Sequence, residues 1–482
     1  MPKSLFIEYL NVDIPDYVDY RRERSHLKHK KSISLMRWPN GKPCSLVNFW
    51  IMELASKSTG QSLRQYCSNL THHIKYCYRN RINLTETTDF DLHELASELV
   101  SARDPRNPDR YLRDNNTIRA IMITVIEFLR WLEVNLRGPL DQCLIGPADR
   151  NPKVTIEKLV NPMTGRAYYQ HPSIPIDASE QNDKRAMPDN FIDAIENEIS
   201  SLLISATAQD GLPQARFVSQ GLFKAQQEYL YSRRFFMNWI MKNTGLRPGE
   251  LVSIPLTPLL NIYKTRDLQI PTLKRRMEPP PIRHFRLNLT GCGQVSRYLT
   301  ARTVFLQSLI DNKIDPLHQD ALFLTQQGTP LSAASLAKDF SRLAINAGLG
   351  DERICLSMYR HRFITTEILI HLRDLLDTDK PNREILSEPL TRTICERIRK
   401  KIGHGSPSSM WHYFDAAFDL LDFWGSIDAA LDHLSELDDV KDQLRRLNYL
   451  MQRDGATDEQ KSMVTSLQEQ IDAMRAKRSL KQ

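Results

Sequence analysis

A break in the apolar rhythm limits most strongly how this chain can fold. Between Gly138 and Pro188 the sequence has little period and is rich in Pro, Gly, Asn and Asp, as in "GPADRNP" and "HPSIPIDASEQNDKRAMPDN". On either side, apolar residues recur at helical spacing. Upstream, "LVNFWIMELASKS", "TGQSLRQYCSNLTHHIKYCYRN" and "NNTIRAIMITVIEFLRWLEVNLRGP" read as amphipathic helices. The last sets Ile118, Ile121, Met122, Val125, Leu129 and Leu132 on one face and stops at Gly138-Pro139. Downstream, helices are expected at "FIDAIENEISSLLISA" and "SRRFFMNWIMKNTG", followed by short strands at "DLQIPTLK" and "IRHFRLNL", and then by helices again. A chain of 482 residues exceeds a single ordinary core, and the aperiodic stretch is the natural place to divide it. The expected organisation is an N-terminal basic segment with a hairpin at the Pro-Asn-Gly turn (1–43), a helical module (44–137), a linker (138–188), a second domain (189–425) and a helical tail (426–482). The fold class is mainly α with a small antiparallel β-sheet.

Composition narrows the function. No apolar run approaches the roughly 18 residues of a membrane span, and the N-terminus lacks a secretory apolar region, so a cytoplasmic protein without membrane contact is expected. The seven cysteines include no Cys-x-x-Cys pair, and His72 and His73 have no partner at metal-ligand spacing, so neither disulfides nor a metal are expected. The net charge of +7 is compatible with a polyanionic partner. Two clusters carry much of that charge. "RRERSHLKHKK" (Arg21 to Lys31) lies near the N-terminus, and "LKRRMEPPPIRHFRL" (Leu273 to Leu287) alternates basic residues with prolines. Each reads equally as a solvated face or as a phosphate contact.

The second domain concentrates chemistry-bearing residues. "MKNTGLRPGELVSI" ends one helix at Thr244-Gly245 and starts another at Pro248, which places Arg247 in the tight connection and Glu250 in the next first turn, where its carboxylate can hold the arginine. In "CLSMYRHRFITTEIL", Arg360, His361 and Arg362 precede a helix that turns Phe363, Ile364, Ile368 and Leu369 inward. "KKIGHGSPSSMWHYFDAAFDLLDFW" sets His404 in a Gly-His-Gly turn before an N-cap at Ser406, with Pro407 as the first helical residue. Met410, Phe414, Ala417, Phe418, Leu421 and Trp424 then form an apolar stripe, with Tyr413 at its edge. By periodicity alone, Tyr413 is a core aromatic.

Taken together, these boxes resemble the tyrosine recombinase, or phage integrase, family. "TGLRPGEL" is similar to its first-arginine box, "YRHRFIT" to its Arg-His-x-Phe-x-Thr second-arginine box, and "IGHGSPSSMWHY" to its Gly-His box, with the tyrosine nine positions after the histidine. "STGQSLRQYCSNLTHHI" resembles the family's SAM-like core-binding domain, so the resemblance spans roughly Leu35 to Trp424. It implies a helical DNA-binding module and a mixed α+β catalytic domain forming a clamp around duplex DNA. Arg247 and Arg360 are the implied phosphate clamp, Tyr413 the implied nucleophile, and His404 the implied donor to a phosphate oxygen or partner for the tyrosine proton. The implied acid for the leaving 5′ oxygen is a hairpin lysine, matched by position at Lys274 with Arg275 and Arg276 as neighbours. Glu250, Ser357 and His361 are implied supporting residues. Arg64, Lys75, Arg275, Arg276 and Arg362 are candidates for DNA contact.

Two departures from the family pattern stand out. Ser357 occupies the position where the family has a histidine or lysine, three residues before the second arginine. The interval from Arg360 to His404 is also long, with "DLLDTDKPNREILSEPLTRT" looking like an insertion. The resemblance further implies a cofactor-free enzyme that acts as a tetramer on two recombination sites, donates a C-terminal helix between neighbours, works on the bacterial nucleoid and integrates or excises a mobile element. Alternatives are a DNA-binding regulator on the same fold with impaired cleavage, for which Ser357 is the support, and a nicking enzyme of the type IB topoisomerase kind. The tail, with a seam at Ile427, Leu431, Leu434, Leu444 and Leu447, is a candidate docking element for an accessory protein.

Overall fold

The computed structural model describes residues 4–19, 24–57, 60–105, 107–136, 138, 142–160, 165, 167–175, 185–207, 219–273, 279–316, 320–376, 387–403, 410, 413–418, 444, 447–448, 451 and 457–479. The chain divides into two compact units, 1–182 and 183–482. The fold is mainly helical, and its β-structure consists of separate two-stranded pairs. No helix among the described residues is long and apolar enough to cross a membrane.

The first unit opens with a long antiparallel ribbon of β1 (Phe6–Asp19) and β2 (Arg24–Met36), paired from Phe6 opposite Met36 to Asp19 opposite Arg24. Much of the basic run near the N-terminus is therefore strand, paired with β1. Asp13 sits opposite His29, with 2.9 Å between Oδ1 and Nδ1, a cross-strand polar pair. The expected Pro-Asn-Gly turn follows β2: Arg37 bridges Pro43, and Gly41, at φ +86°, donates its N–H to the Trp38 carbonyl. The ribbon base packs on α1 (Ser45–Lys57) and α2 (Gly60–Asn80). α3 (Asp89–Ser101), β3 (Arg103–Asp104), β4 (Asn107–Tyr111) and α4 (Asn115–Leu136) complete the helical module.

Ile118, Ile121, Met122, Val125, Leu129 and Leu132 of α4 are all buried against Trp50, Leu63, Leu70 and Leu92. Composition reads 138–188 as linker, yet its described part joins this core through Leu144, Ile145, Val154, Ile156 and Ile174. There, β5 (Ile145–Gly146) and β6 (Val154–Thr155) pair in parallel, while β7 (Glu157–Val160) and β8 (Ala167–Gln170) pair antiparallel. Asp89, in the first turn of α3, holds this segment by accepting from the Thr155 N–H at 2.7 Å and contacting His171 Nε2 at 2.9 Å.

The second unit runs through α5 (Asp189–Thr207), α6 (Gln220–Thr244), α7 (Pro248–Val252), α8 (Leu256–Leu259), α9 (Ile262–Thr265), the antiparallel pair β9 (Asp267–Pro271) and β10 (Ile282–Arg286), α10 (Leu289–Asp311), α11 (Ala333–Ala344), α12 (Ser357–Leu376) and α13 (Glu388–Ile402). Residues 413–418 are helical, and α14 (Asp458–Ser479) lies in the tail. Stacked aromatics hold its larger core: the Tyr229 and Phe305 rings lie 4.6 Å apart at 7°, and Phe236 and Tyr298 4.6 Å apart at 9°. A smaller core joins α12, α13 and the 413–418 helix through Phe363, Ile364, Ile368, Ile394, Ile398, Met410, Phe414, Ala417 and Phe418. This confirms the described part of the expected apolar stripe. Leu421, Trp424, Ser406 and Pro407 lie outside the described residues, as do Ile427, Leu431 and Leu434 of the tail seam, whereas Leu444 and Leu447 are helical.

One boundary differs from expectation. α12 begins at Ser357, so Arg360, His361 and Arg362 lie within its first turns rather than ahead of it. The helix carries these basic residues inside because both arginines have interior partners, described below.

Candidate active site

The site is assembled where three helix ends meet one strand. α6 closes at Gly245, whose φ of +56° lets its N–H reach the Met241 carbonyl at 3.0 Å. The position requires glycine on a second ground, because a Cβ there would fall 2.5 Å from the Phe363 ring. Buried Leu246 follows, and Pro248 starts α7, leaving Arg247 at the N-cap. Glu250, in the first turn, accepts from the Arg247 backbone N–H at 3.0 Å with Oε2 and from its Nη1 at 3.0 Å with Oε1. The carboxylate is 1% exposed, while the Arg247 side chain retains 21% exposure, so the arginine is anchored from below and open above.

Arg283 of β10 is a second guanidinium on the same carboxylate, with Nη2 donating to Glu250 Oε2 at 2.7 Å. Its Nη1 donates to the Lys401 carbonyl at 2.9 Å, tying the strand to the end of α13. Burial holds the Arg283 guanidinium below its ordinary pKa, and Glu250 works against that shift. Sequence reasoning missed this residue. A signal was present in "IRHFR", where strand alternation puts Arg283 on the same face as Phe285 rather than with the outward Ile282, His284 and Arg286. α13 ends in Gly403 at φ +66°, where a Cβ would lie 2.8 Å from Thr272 Cγ2, so the chain leading to His404 lies close against the end of β9.

Arg360 bridges two of the helix ends. Its Nη1 donates to the Gly245 carbonyl at 2.6 Å and its Nη2 to the Ile402 carbonyl at 2.9 Å. Carbonyls at helix C-termini lack intrahelical partners and carry partial negative charge, so they suit a buried cation. The residue is 5% exposed. Burial, reinforced by the charge of Arg247, pulls its pKa down to about 9, with Glu250 opposing.

Tyr413 starts the helical residues 413–418 and is 2% exposed. Its hydroxyl lies 2.6 Å from His361 Nδ1. Burial pushes the phenol up to about 12, and Arg360 and Arg247 pull the other way. Arg247, Arg283 and Arg360 thus gather around one carboxylate and one neutral phenol. Such an arrangement can receive a doubly substituted phosphate oxyanion beside an oxygen nucleophile. Among the described residues, no group of three or more His, Cys, Asp or Glu side chains is placed to hold a metal ion.

No family model matches this chain, and no curated protein matches it. Among solved structures, it is similar to the XerH site-specific recombinase bound to palindromic difH substrate in a post-cleavage complex, at 14% identity and a TM-score of 0.45, covering 80% of this chain and 84% of that one. The XerH pre-cleavage complex with difH gives 14% identity and a TM-score of 0.41, over 78% and 82% of the two chains. The XerA recombinase gives 12% identity and a TM-score of 0.30, over 78% and 95%.

The remaining sequence candidates are dispersed. Lys274, Arg275 and Arg276 fall in the connection between β9 and β10, and they lie outside the described residues, as does His404. Ser357 is exposed at the start of α12, one turn before His361 on the same helix face. Arg64 and Lys75 are exposed on one face of α2, Arg64 lying 3.6 Å from Glu8. Arg362 requires a correction. It is 5% exposed, pairs with Asp189 at 2.7 Å and donates to the Met187 carbonyl at 3.1 Å, so it fastens α12 to the start of α5 instead of reaching toward DNA.

Proposed function

We propose that this chain is a site-specific tyrosine recombinase that cuts and rejoins duplex DNA through a 3′-phosphotyrosine. The observation that carries the reading is the buried Tyr413 hydroxyl, held by His361 within the field of Arg360 and of an Arg247 fixed by Glu250. In this reading Arg247 and Arg360 hold the scissile phosphate and meet the negative charge that grows on its non-bridging oxygens. The Tyr413 oxygen attacks phosphorus, and the 5′ oxygen leaves with a proton from Lys274. His404 completes the contacts to the phosphate. The phosphotyrosine keeps the bond energy for rejoining, and the guanidiniums supply the positive charge, so the reaction calls for neither ATP nor a metal.

On the same reading, the helical module with Arg64 and Lys75 grips the duplex on which the second unit acts. Four protomers assemble on paired sites to integrate or excise a mobile element, and the tail serves contacts between neighbours or with an accessory protein. The test is covalent trapping. The full chain is incubated with labelled nicked duplexes tiled across the DNA flanking its own gene, denatured, and searched for a shifted band. Wild type is expected to yield a protein–DNA adduct on a defined sequence, and Tyr413→Phe none. Specific binding without an adduct would favour the regulator with impaired cleavage, and an adduct formed without site preference would favour the topoisomerase-like enzyme.

A further inference from the structure

We infer that His361 is the catalytic base that takes the proton from Tyr413, filling the place that Ser357 leaves empty one turn earlier on α12; this rests on the recombinase reading above. Nδ1 of His361 lies 2.6 Å from the Tyr413 hydroxyl, the direct reach that proton abstraction needs. The ring centroids are 5.5 Å apart, so the contact is made through the polar edges and not by stacking.

Among the described residues, the surroundings favour this assignment. Tyr413 is 2% exposed, which keeps its hydroxyl from bulk water, and burial makes the phenol a poor acid. Arg247, Arg283 and Arg360 are cations and cannot accept a proton. Both Glu250 oxygens are committed to Arg247 and Arg283, and Glu367 takes Lys401 at 2.7 Å. An imidazole with its proton on Nε2 presents Nδ1 as an acceptor toward the phenol. Ser357 has no proton-accepting group of comparable basicity, and it stands exposed.

The step balances. As the Tyr413 oxygen forms its bond to phosphorus, its proton passes to His361 Nδ1. The bond from phosphorus to the 5′ oxygen breaks with its electron pair on that oxygen, which takes a proton from the acid on the other side. The imidazolium keeps the first proton and returns it to the phenol when the 5′ hydroxyl attacks in the rejoining step.

The experiment compares full-length wild type, His361→Ala, His361→Asn and Lys274→Ala on two nicked duplexes. One has an ordinary phosphate, and the other has a bridging sulfur in place of the 5′ oxygen, a leaving group that departs without protonation. Binding to both duplexes is measured alongside, to show that each variant is folded. Expected is a loss of adduct formation of about 10²- to 10³-fold for both His361 variants on both duplexes, the range of a missing base. The bridging sulfur restores Lys274→Ala only, and added imidazole restores part of the rate of His361→Ala. The assignment is overturned if His361→Ala forms adduct at the wild-type rate, if asparagine restores the rate as a mere hydrogen-bond acceptor, if the bridging sulfur rescues the His361 variants, or if imidazole leaves His361→Ala unchanged. Absence of adduct from wild type itself would sink the recombinase reading instead.

Discussion

Among the described residues of the second unit, the buried Glu250 and the half-buried Asp339 each take two arginines, and they differ in what surrounds them. Asp339 of α11 accepts from Arg233 at 2.7 Å and from Arg234 at 2.8 Å, and Arg233 also donates to the Leu324 carbonyl at 2.8 Å. Around Glu250, the two arginines are joined by Arg360 and by a phenol, and Arg247 keeps part of its surface open. At Asp339 two guanidiniums share one carboxylate within a contact that joins α6 to α11, leaving a single surplus positive charge. At Glu250 a third guanidinium, Arg360, raises the surplus to two, and its field and that of Arg247 fall on the Tyr413 phenol. The same pairing of residue types is thus a fastening in one place and, on the proposed reading, a phosphate-binding surface in the other, and the third cation with its neighbouring tyrosine separates them.

Substitution at the two carboxylates tests that contrast most strongly. Glu250→Gln, which lets Arg247 drift, is expected to lower adduct formation by about 10²-fold, the scale of a misplaced catalytic group. Asp339→Asn should leave the rate per folded molecule unchanged while lowering the melting temperature; equal rate losses in the two variants would erase the distinction. A smaller effect is expected at Arg362, whose pairing with Asp189 belongs to the fastening kind. Arg362→Ala should cost about 3 kcal/mol in denaturant unfolding, as expected when one partner of a buried pair is removed. Its salt dependence of DNA binding should remain that of wild type, and a reduced salt slope would return Arg362 to the DNA contacts.

The smallest expected effect is in acid. Burial alone would raise the Asp339 carboxyl, but Arg234 and Arg233 hold it below the usual 3.8. A depressed folded pKa contributes stability above the unfolded value and loses it as pH falls through the folded one. Acid unfolding of wild type should therefore steepen below about pH 4 relative to Asp339→Asn. Coincident curves would mean that this pair adds nothing beyond packing.

Legibility in the sequence followed the distance over which each interaction closes. Arg247 and Glu250 are three residues apart in one box, so their pairing could be anticipated from local helix geometry. Arg283 reaches the same carboxylate from 33 residues away, and only the strand alternation hinted at its inward face. The basic run of β2 gave no sign that His29 would meet Asp13, because that partner lies on β1 and is reached only through the ribbon register. The described part of the aperiodic stretch hid a contribution to the first core, since strands of two to four residues are too short to display a period. Arg362 looked like its neighbour Arg360 in a run of basic residues, and nothing local foretold that Asp189 would claim it.

Arg360 clasps the carbonyls of Gly245 and Ile402, the residues that come just before Arg247 and the His404 turn. The three boxes are therefore fastened to one another through a single side chain before any DNA arrives. On the proposed reading, this makes cutting competence an all-or-none property of the folded chain. A nascent or partly melted molecule that has lost the end of α13 loses a partner of Arg360 and one of Arg283, which shares Glu250 with Arg247, so on that reading an unfinished enzyme would be harmless to the DNA it cuts.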